Sequence, residues 1–204
     1  MTDRTAKARL RDAAIELVAE GATLTARTVA ERAGVTAGLI RHHFGSMADL
    51  ERACDEHIAR LVREAKEDAV EEGASVDVLQ AIRESGETHM LRYLARRVAV
   101  SSAVIDDLVD QMADDAAGYM QSSVDAGLMN PLSDVPRAAK MLTVYALGSL
   151  VLHDHVRRLI DVDVTTVDLT SEPGIADYIG VQYDIFSGLF NHAALETLQD
   201  PTKE

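Results

Sequence analysis

The chain has 204 residues, 47% of them hydrophobic, which is enough for one ordinary domain or for a small domain joined to a larger one. A single cysteine, Cys54, excludes an internal disulfide, and neither a secretory leader pattern nor an apolar run of about 20 residues is present, which points to a cytoplasmic protein with no membrane partner. The net charge of −14 excludes a surface that is attractive to polyanions all round.

Apolar residues recur at helical spacing almost throughout and nothing alternates with period two for long, so an all-α fold is predicted. A first helix over 5–20 places Ala6, Leu10, Ala14, Leu17 and Val18 on one face, with Gly21 as its natural stop. Thr25 is positioned to cap a second helix over 26–33 that ends at Gly34, and Thr36 to cap a third over 37–44 that ends at Gly45. Ser46-Met47-Ala48-Asp49 has the form of a capping box opening a long fourth helix that ends before Gly73. Its stripe is Leu50, Ala53, Cys54, His57, Ile58, Leu61, Val62 and Ala65. Further helices fit 76–100, 102–126, 135–160 and 175–198, with breaks at Gly127, Asn130-Pro131 and Glu172-Pro173-Gly174.

Two short helices joined by a tight glycine-containing turn make a helix-turn-helix, whose second helix is presented to the major groove of DNA. Gly34 allows a left-handed turn, Val35 can plug the angle between the helices, and Ala30 permits their close approach. Thr36, Ala37 and Gly38 then lie where base edges are read, with Arg41, His42 and His43 one turn later, within reach of phosphates. The charge follows this division. Residues 1–47 carry seven Lys or Arg against five Asp or Glu, a net +2, whereas residues 48–204 carry 13 against 29, a net −16. An acidic body behind a mildly basic head repels DNA everywhere except at the head.

The run from Thr25 to Ser46, with its Ala-Gly-Val turn, its His43-Phe44 pair and its Gly45-Ser46 break, resembles the signature of the TetR family. The resemblance covers about 45 N-terminal residues and implies an all-helical homodimer. Each subunit would offer one recognition helix to half of a palindromic operator on double-stranded DNA. A helix-turn-helix domain over 1–48 would precede a helical ligand-binding and dimerisation domain over 49–204. Carried over by position, Thr25, Arg27, Thr36, Ala37, Arg41 and His43 are DNA-contacting residues. Arg41 stands where the family usually has Tyr and can serve a phosphate at least as well, but Met47 stands where it usually has Lys and removes a cationic contact, so non-specific binding should be weaker than is typical. Ala37 and Gly38 have almost no side chain, so base readout falls on Arg27, Thr36 and His42.

In the acidic part, Ile175, Ile179, Tyr183, Phe186, Leu189, Phe190 and Ala193, with Gly148 and Ser149 on the preceding helix, are the candidate dimer face. Met90, Tyr93, Leu94, Met112, Tyr119, Met120, Met141 and Tyr145 are the candidate lining of a pocket for a small apolar effector. Such an effector would release a repressor by resetting the fourth helix. The alternative is a regulator of the same type governed by a protein partner, and from another class a helical enzyme or ligand carrier with a DNA-binding head. No nucleophile with its base, phosphate-cradling loop or dinucleotide fingerprint supports an enzyme, and no cofactor is expected. Metal is not expected at Cys54/His57 or His153-Asp154-His155, which lack a third ligand, nor at Asp161, Asp163 and Glu172, where a calcium loop's glycine is replaced by Thr166.

Overall fold

The computed structural model describes residues 3–71, 89–166 and 168–191. They form α1 (Asp3–Ala19), α2 (Ala26–Ala33), α3 (Gly38–Phe44), α4 (Met47–Glu71), α5 (Met90–Val98), α6 (Ala103–Asp125), α7 (Val135–Val151), α8 (His153–Ile160) and α9 (Ile175–Phe186). Two 3-10 turns flank α9, and a single antiparallel bridge joins Met129 to Phe190; among the described residues there is no other β pairing. The all-α expectation holds. No single helix among the described residues is long and apolar enough to cross a membrane.

The α1 stripe is buried as its spacing dictates, with Leu10, Ala14 and Leu17 in the core and Val18 half-buried against it. At the start of α4 the Ser46 hydroxyl accepts the Asp49 N–H at 3.1 Å and donates to the Asp49 carboxylate at 2.6 Å, so this helix begins where its capping sequence says. Leu50, Cys54, Ile58 and Val62 then face inward. The side chain of Ala65 lies outside the described residues. One continuous core runs from Leu10, Val29, Ile40 and Leu50 in the head to Met90, Leu94, Ile105, Leu147 and Leu150 in the body. Leu50 is 0% exposed at that junction. Burying such a side chain contributes about 1.5–3 kcal/mol, so head and body are joined by packing as well as by the chain.

Four expectations need correction or restriction. The predicted helix over 76–100 is seen as α5, Met90–Val98, and residues 76–88 lie outside the described part. The stretch 135–160 is two helices bent by 80° at Leu152. There the His153 ring engages the Leu150 carbonyl at 3.1 Å, and α8 restarts with Asp154 in its first turn and Arg157 and Arg158 in its last, charges matched to a short helix's own dipole. The helix expected over 175–198 stops at Phe186, because Asn130 donates its side-chain amide to the carbonyls of Gly188 (3.1 Å) and Phe190 (2.9 Å) and draws the chain onto the α6–α7 turn. Residues 192–198, Ala193 included, lie outside the described part. Finally, α3 begins at Gly38, and its N-cap position is Ala37 rather than Thr36.

Candidate nucleic-acid interface

The head is assembled so that α3 is held from behind. In α2, Thr25 accepts the Thr28 N–H at 3.1 Å while the Thr28 hydroxyl accepts the Thr25 N–H at 3.0 Å, a reciprocal cap that fixes where the helix starts. At its other end Gly34 takes the left-handed conformation (φ 63°), and its N–H reaches the carbonyls of Ala30 and Glu31. Arg9 of α1 donates to the Ala33 carbonyl beneath this turn. Arg32 ties α2 back to α1 through Glu16 at 3.1 Å and Glu20 at 2.7 Å. These contacts set the angle at which α3 leaves the turn.

In α3, Ile40 is buried, while Leu39 and Phe44 are half-buried against the core; that side of the helix is spoken for. The opposite side is exposed and carries Gly38, Arg41 and His42, preceded by exposed Thr36 and Ala37. Thr36 does not cap the helix. Its carbonyl instead accepts the Leu39 N–H at 3.1 Å in a tight first turn, and Ala37 makes no side-chain cap bond. Thr36 itself is exposed at the turn.

Seven of the eight sequence-selected residues, Thr25, Arg27, Thr36, Ala37, Gly38, Arg41 and His42, are exposed together on the α2–turn–α3 unit. His43 is half-buried, its ring edge-on to His42 at 4.9 Å and to Phe44 at 6.4 Å, which makes it a support beneath the face as well as a part of its rim. Arg27 is 85% exposed and pairs along its own helix with Glu31 at 2.7 Å. The glutamate lifts the guanidinium's pKa further, so this charge is present at every working pH.

Sequence reasoning missed one cation here. Lys7 of α1 is exposed and lies over the Phe44 ring at 5.4 Å from its centroid, adding positive charge beside the C-terminal end of α3. The signal was only its place one residue from the buried Ala6. Met47 is half-buried against the core, which explains why a thioether is accepted where a cation is usual.

The eight residues selected as a pocket do not come together. Met90, Tyr93 and Leu94 are fully packed in the main core with Met112 against them, and Met120 belongs to a separate cluster with Val135 and Ala139. Tyr119 is half-buried, and Met141 and Tyr145 are exposed. Of the eight only Met141 lines the apolar cleft of about 310 Å³ between α7 and the end of α9, with Ala138, Leu142, Ile185, Phe186, Gly188 and Leu189. The dimer candidates fare differently. Ile179 and Tyr183 are exposed, Ile175, Phe186, Leu189 and Phe190 are half-buried, and nothing lies within 4 Å of where a Gly148 side chain would begin.

The suspect metal patterns are engaged in structural contacts. Cys54 donates to the Arg11 carbonyl at 3.6 Å, and burial first, then Asp55, pushes its thiol up to about 12. Asp163 is faced by Arg92 at 3.4 Å and Arg157 at 3.7 Å, and Glu172 accepts the Asp163 N–H at 3.0 Å. Among the described residues no group of three His, Cys, Asp or Glu is arranged to hold a metal ion.

Residues 10–54 match the family model of bacterial regulatory proteins of the tetR family, and residues 87–188 match the tetracyclin repressor-like C-terminal domain. Over 153 residues the chain is 33% identical to the HTH-type transcriptional regulatory protein RaaS of Mycobacterium tuberculosis, covering 74% of this chain and 72% of that protein. Its fold is similar to that of a gamma-butyrolactone receptor described as ArpA-like (21% identity, TM-score 0.59, covering 79% of this chain and 85% of that one). It is also similar to SmeT, the repressor of the Stenotrophomonas maltophilia multidrug efflux pump SmeDEF (17% identity, TM-score 0.54, 91% and 90%). With matches at both ends and an outward-facing helix-turn-helix between supporting helices, the chain belongs to the TetR family, DNA-binding transcriptional regulators and not enzymes.

Proposed function

We propose that the chain is a cytoplasmic homodimeric repressor that places one α3 in each of two successive major grooves of a palindromic operator and is released by a small apolar effector. The observation that carries the DNA reading is the two-sidedness of α3, with Ile40 buried behind and Thr36, Ala37, Gly38, Arg41 and His42 exposed in front. In this reading Arg27, Thr36 and His42 meet base edges, and Thr25, Arg41 and His43 meet phosphates. Residues 1–48 bind DNA and residues 49–204 pair the subunits and receive the signal. Pairing is supported by the apolar side chains exposed on α7 and α9, among them Val144, Tyr145, Ile179, Tyr183 and Ile185. The apolar cleft lies within this same face, where a partner's side chains would fill it.

Support for an effector comes from the fold relatives, one described as a gamma-butyrolactone receptor and another as a repressor. The tight packing of Met90, Tyr93 and Leu94 favours a second reading in which a protein partner, not a small molecule, controls the same DNA-binding dimer. Selection of bound fragments from a random DNA pool tests the shared part. A recovered palindrome is the expected outcome, and a non-symmetric consensus or no enrichment overturns it.

A further inference from the structure

One carboxylate in the body sits where an apolar side chain is expected. Asp55 is on the inner side of α4, beside Cys54, Ile58 and Ala59, and is 1% exposed. Its oxygens accept four hydrogen bonds. The Tyr93 hydroxyl donates to Oδ1 at 2.7 Å and the Arg97 Nε to the same oxygen at 2.8 Å; Arg97 Nη2 donates to Oδ2 at 2.7 Å and the Ser102 hydroxyl to the same oxygen at 3.0 Å. Glu51, one turn earlier, adds a contact to Arg97 at 3.4 Å. Tyr93 and Arg97 belong to α5, and Ser102 is the N-cap of α6, so three elements meet on one charged group.

This arrangement is a poor way to gain stability. Replacing a buried ion pair by well-packed apolar residues is often neutral or stabilising, whereas leaving one of its charges alone is strongly destabilising. What it does confer is register. Apolar contacts such as those of Ile58 and Val62 tolerate a slide of α4 along its neighbours, but a slide of one residue, about 1.5 Å with a rotation of roughly 100°, strips the carboxylate of its forked partner. Because α4 follows α3 after only Gly45-Ser46 and shares its core through Leu50 and Ile40, the register of α4 is also the pose of the recognition helix.

We propose that Asp55 is a positioning residue for DNA binding: its buried carboxylate, gripped by Arg97, Tyr93 and Ser102, holds α4 in the one register that sets the separation of the two recognition helices. The inference rests on the reading of the chain as a paired DNA binder. The assay compares the DNA fragment recovered from a random pool with versions carrying one or two base pairs inserted between its half-sites, for the intact protein and for Asp55→Asn, Tyr93→Phe and Ser102→Ala. The intact protein is expected to prefer the original spacing on the order of tenfold, since inserted pairs displace one half-site around the 10–10.5 bp helical turn. The variants, checked by circular dichroism to be folded at the assay temperature, are expected to lose most of that preference while still discriminating against a point change within a half-site. A merely structural role would lower thermal stability and leave the spacing preference intact, and that result overturns the proposal. Tyr93→Phe and Ser102→Ala each remove one bond and carry the test if Asp55→Asn does not fold. Indifference of the intact protein to spacing would instead overturn the paired reading itself.

Discussion

Arg27 and Arg41 stand on the same exposed face but ask different things of DNA. The pair that Arg27 makes with Glu31 is fully on the surface, where such pairs contribute little, so the guanidinium can turn to a base edge at small cost. Arg27→Ala is expected to relax sequence preference at one operator position on the order of tenfold, as the loss of a bidentate contact to guanine does. Arg41→Ala is expected to weaken all sequences alike and to lower the salt dependence of log K by about one. Gel-shift titrations at several salt concentrations check both, and unchanged affinity in both variants would contradict the assignments. Individual residues were legible where their role is to be exposed, as for Arg27 and Arg41. They were not legible where a distant partner decides. The sequence pattern groups Tyr93 with pocket residues because nothing near it in sequence announces its partner Asp55, 38 positions away.

At the scale of elements, the caps made the first four helices readable to within a few residues, because Thr25, Gly34 and Ser46 act through bonds only three or four residues long. The break at Leu152 and the stop at Phe186 were hidden because neither is made by Gly or Pro within the helix; one depends on a histidine ring and the other on Asn130 from another part of the chain. Gly34 is the local device whose loss is felt most directly. An alanine there would hold a left-handed backbone and put its Cβ 2.7 Å from Arg9 Nη2, so Gly34→Ala is expected to lower unfolding free energy by roughly 1–2 kcal/mol in urea titration. A second expectation concerns pH. On α4, burial first and then Arg11 and Arg60 hold His57 below its usual 6.5, and Arg60 donates to its Nδ1 at 2.6 Å. As pH falls through 6.5 the unfolded chain takes this proton before the folded one does, so the contribution is complete above that value and lost below it. Midpoints of urea unfolding should therefore fall between about pH 7 and 5, less steeply in His57→Gln, and equal slopes would contradict this.

For the whole molecule, composition and charge revealed a mildly basic head on an acidic body, and helical periodicity revealed the all-α class. The site that failed to assemble from sequence, the eight-residue pocket, failed because Met, Leu and Tyr at helical spacing look alike whether they fill a core or line a hollow; Leu94 is 2% exposed and Tyr145 is 51% exposed. The expected dimer face rests on a stripe too broad for one neighbour, and apolar side chains are exposed on α7 and α9. Ile185 is 68% exposed, so Ile185→Glu should leave the subunit's fold unharmed while breaking the pair. Sedimentation at micromolar concentration is expected to show a dimer for the intact chain and a monomer for the variant, with helical content equal by circular dichroism.

The central claim is that two copies of the exposed α3 face engage one side of a DNA duplex. Hydroxyl-radical footprinting on a fragment recovered from the random pool measures this most directly. Two protected patches whose centres lie about 34–36 Å apart, both weakened by Arg41→Ala, are expected. A single patch, or protection that Arg41→Ala leaves untouched, would contradict it.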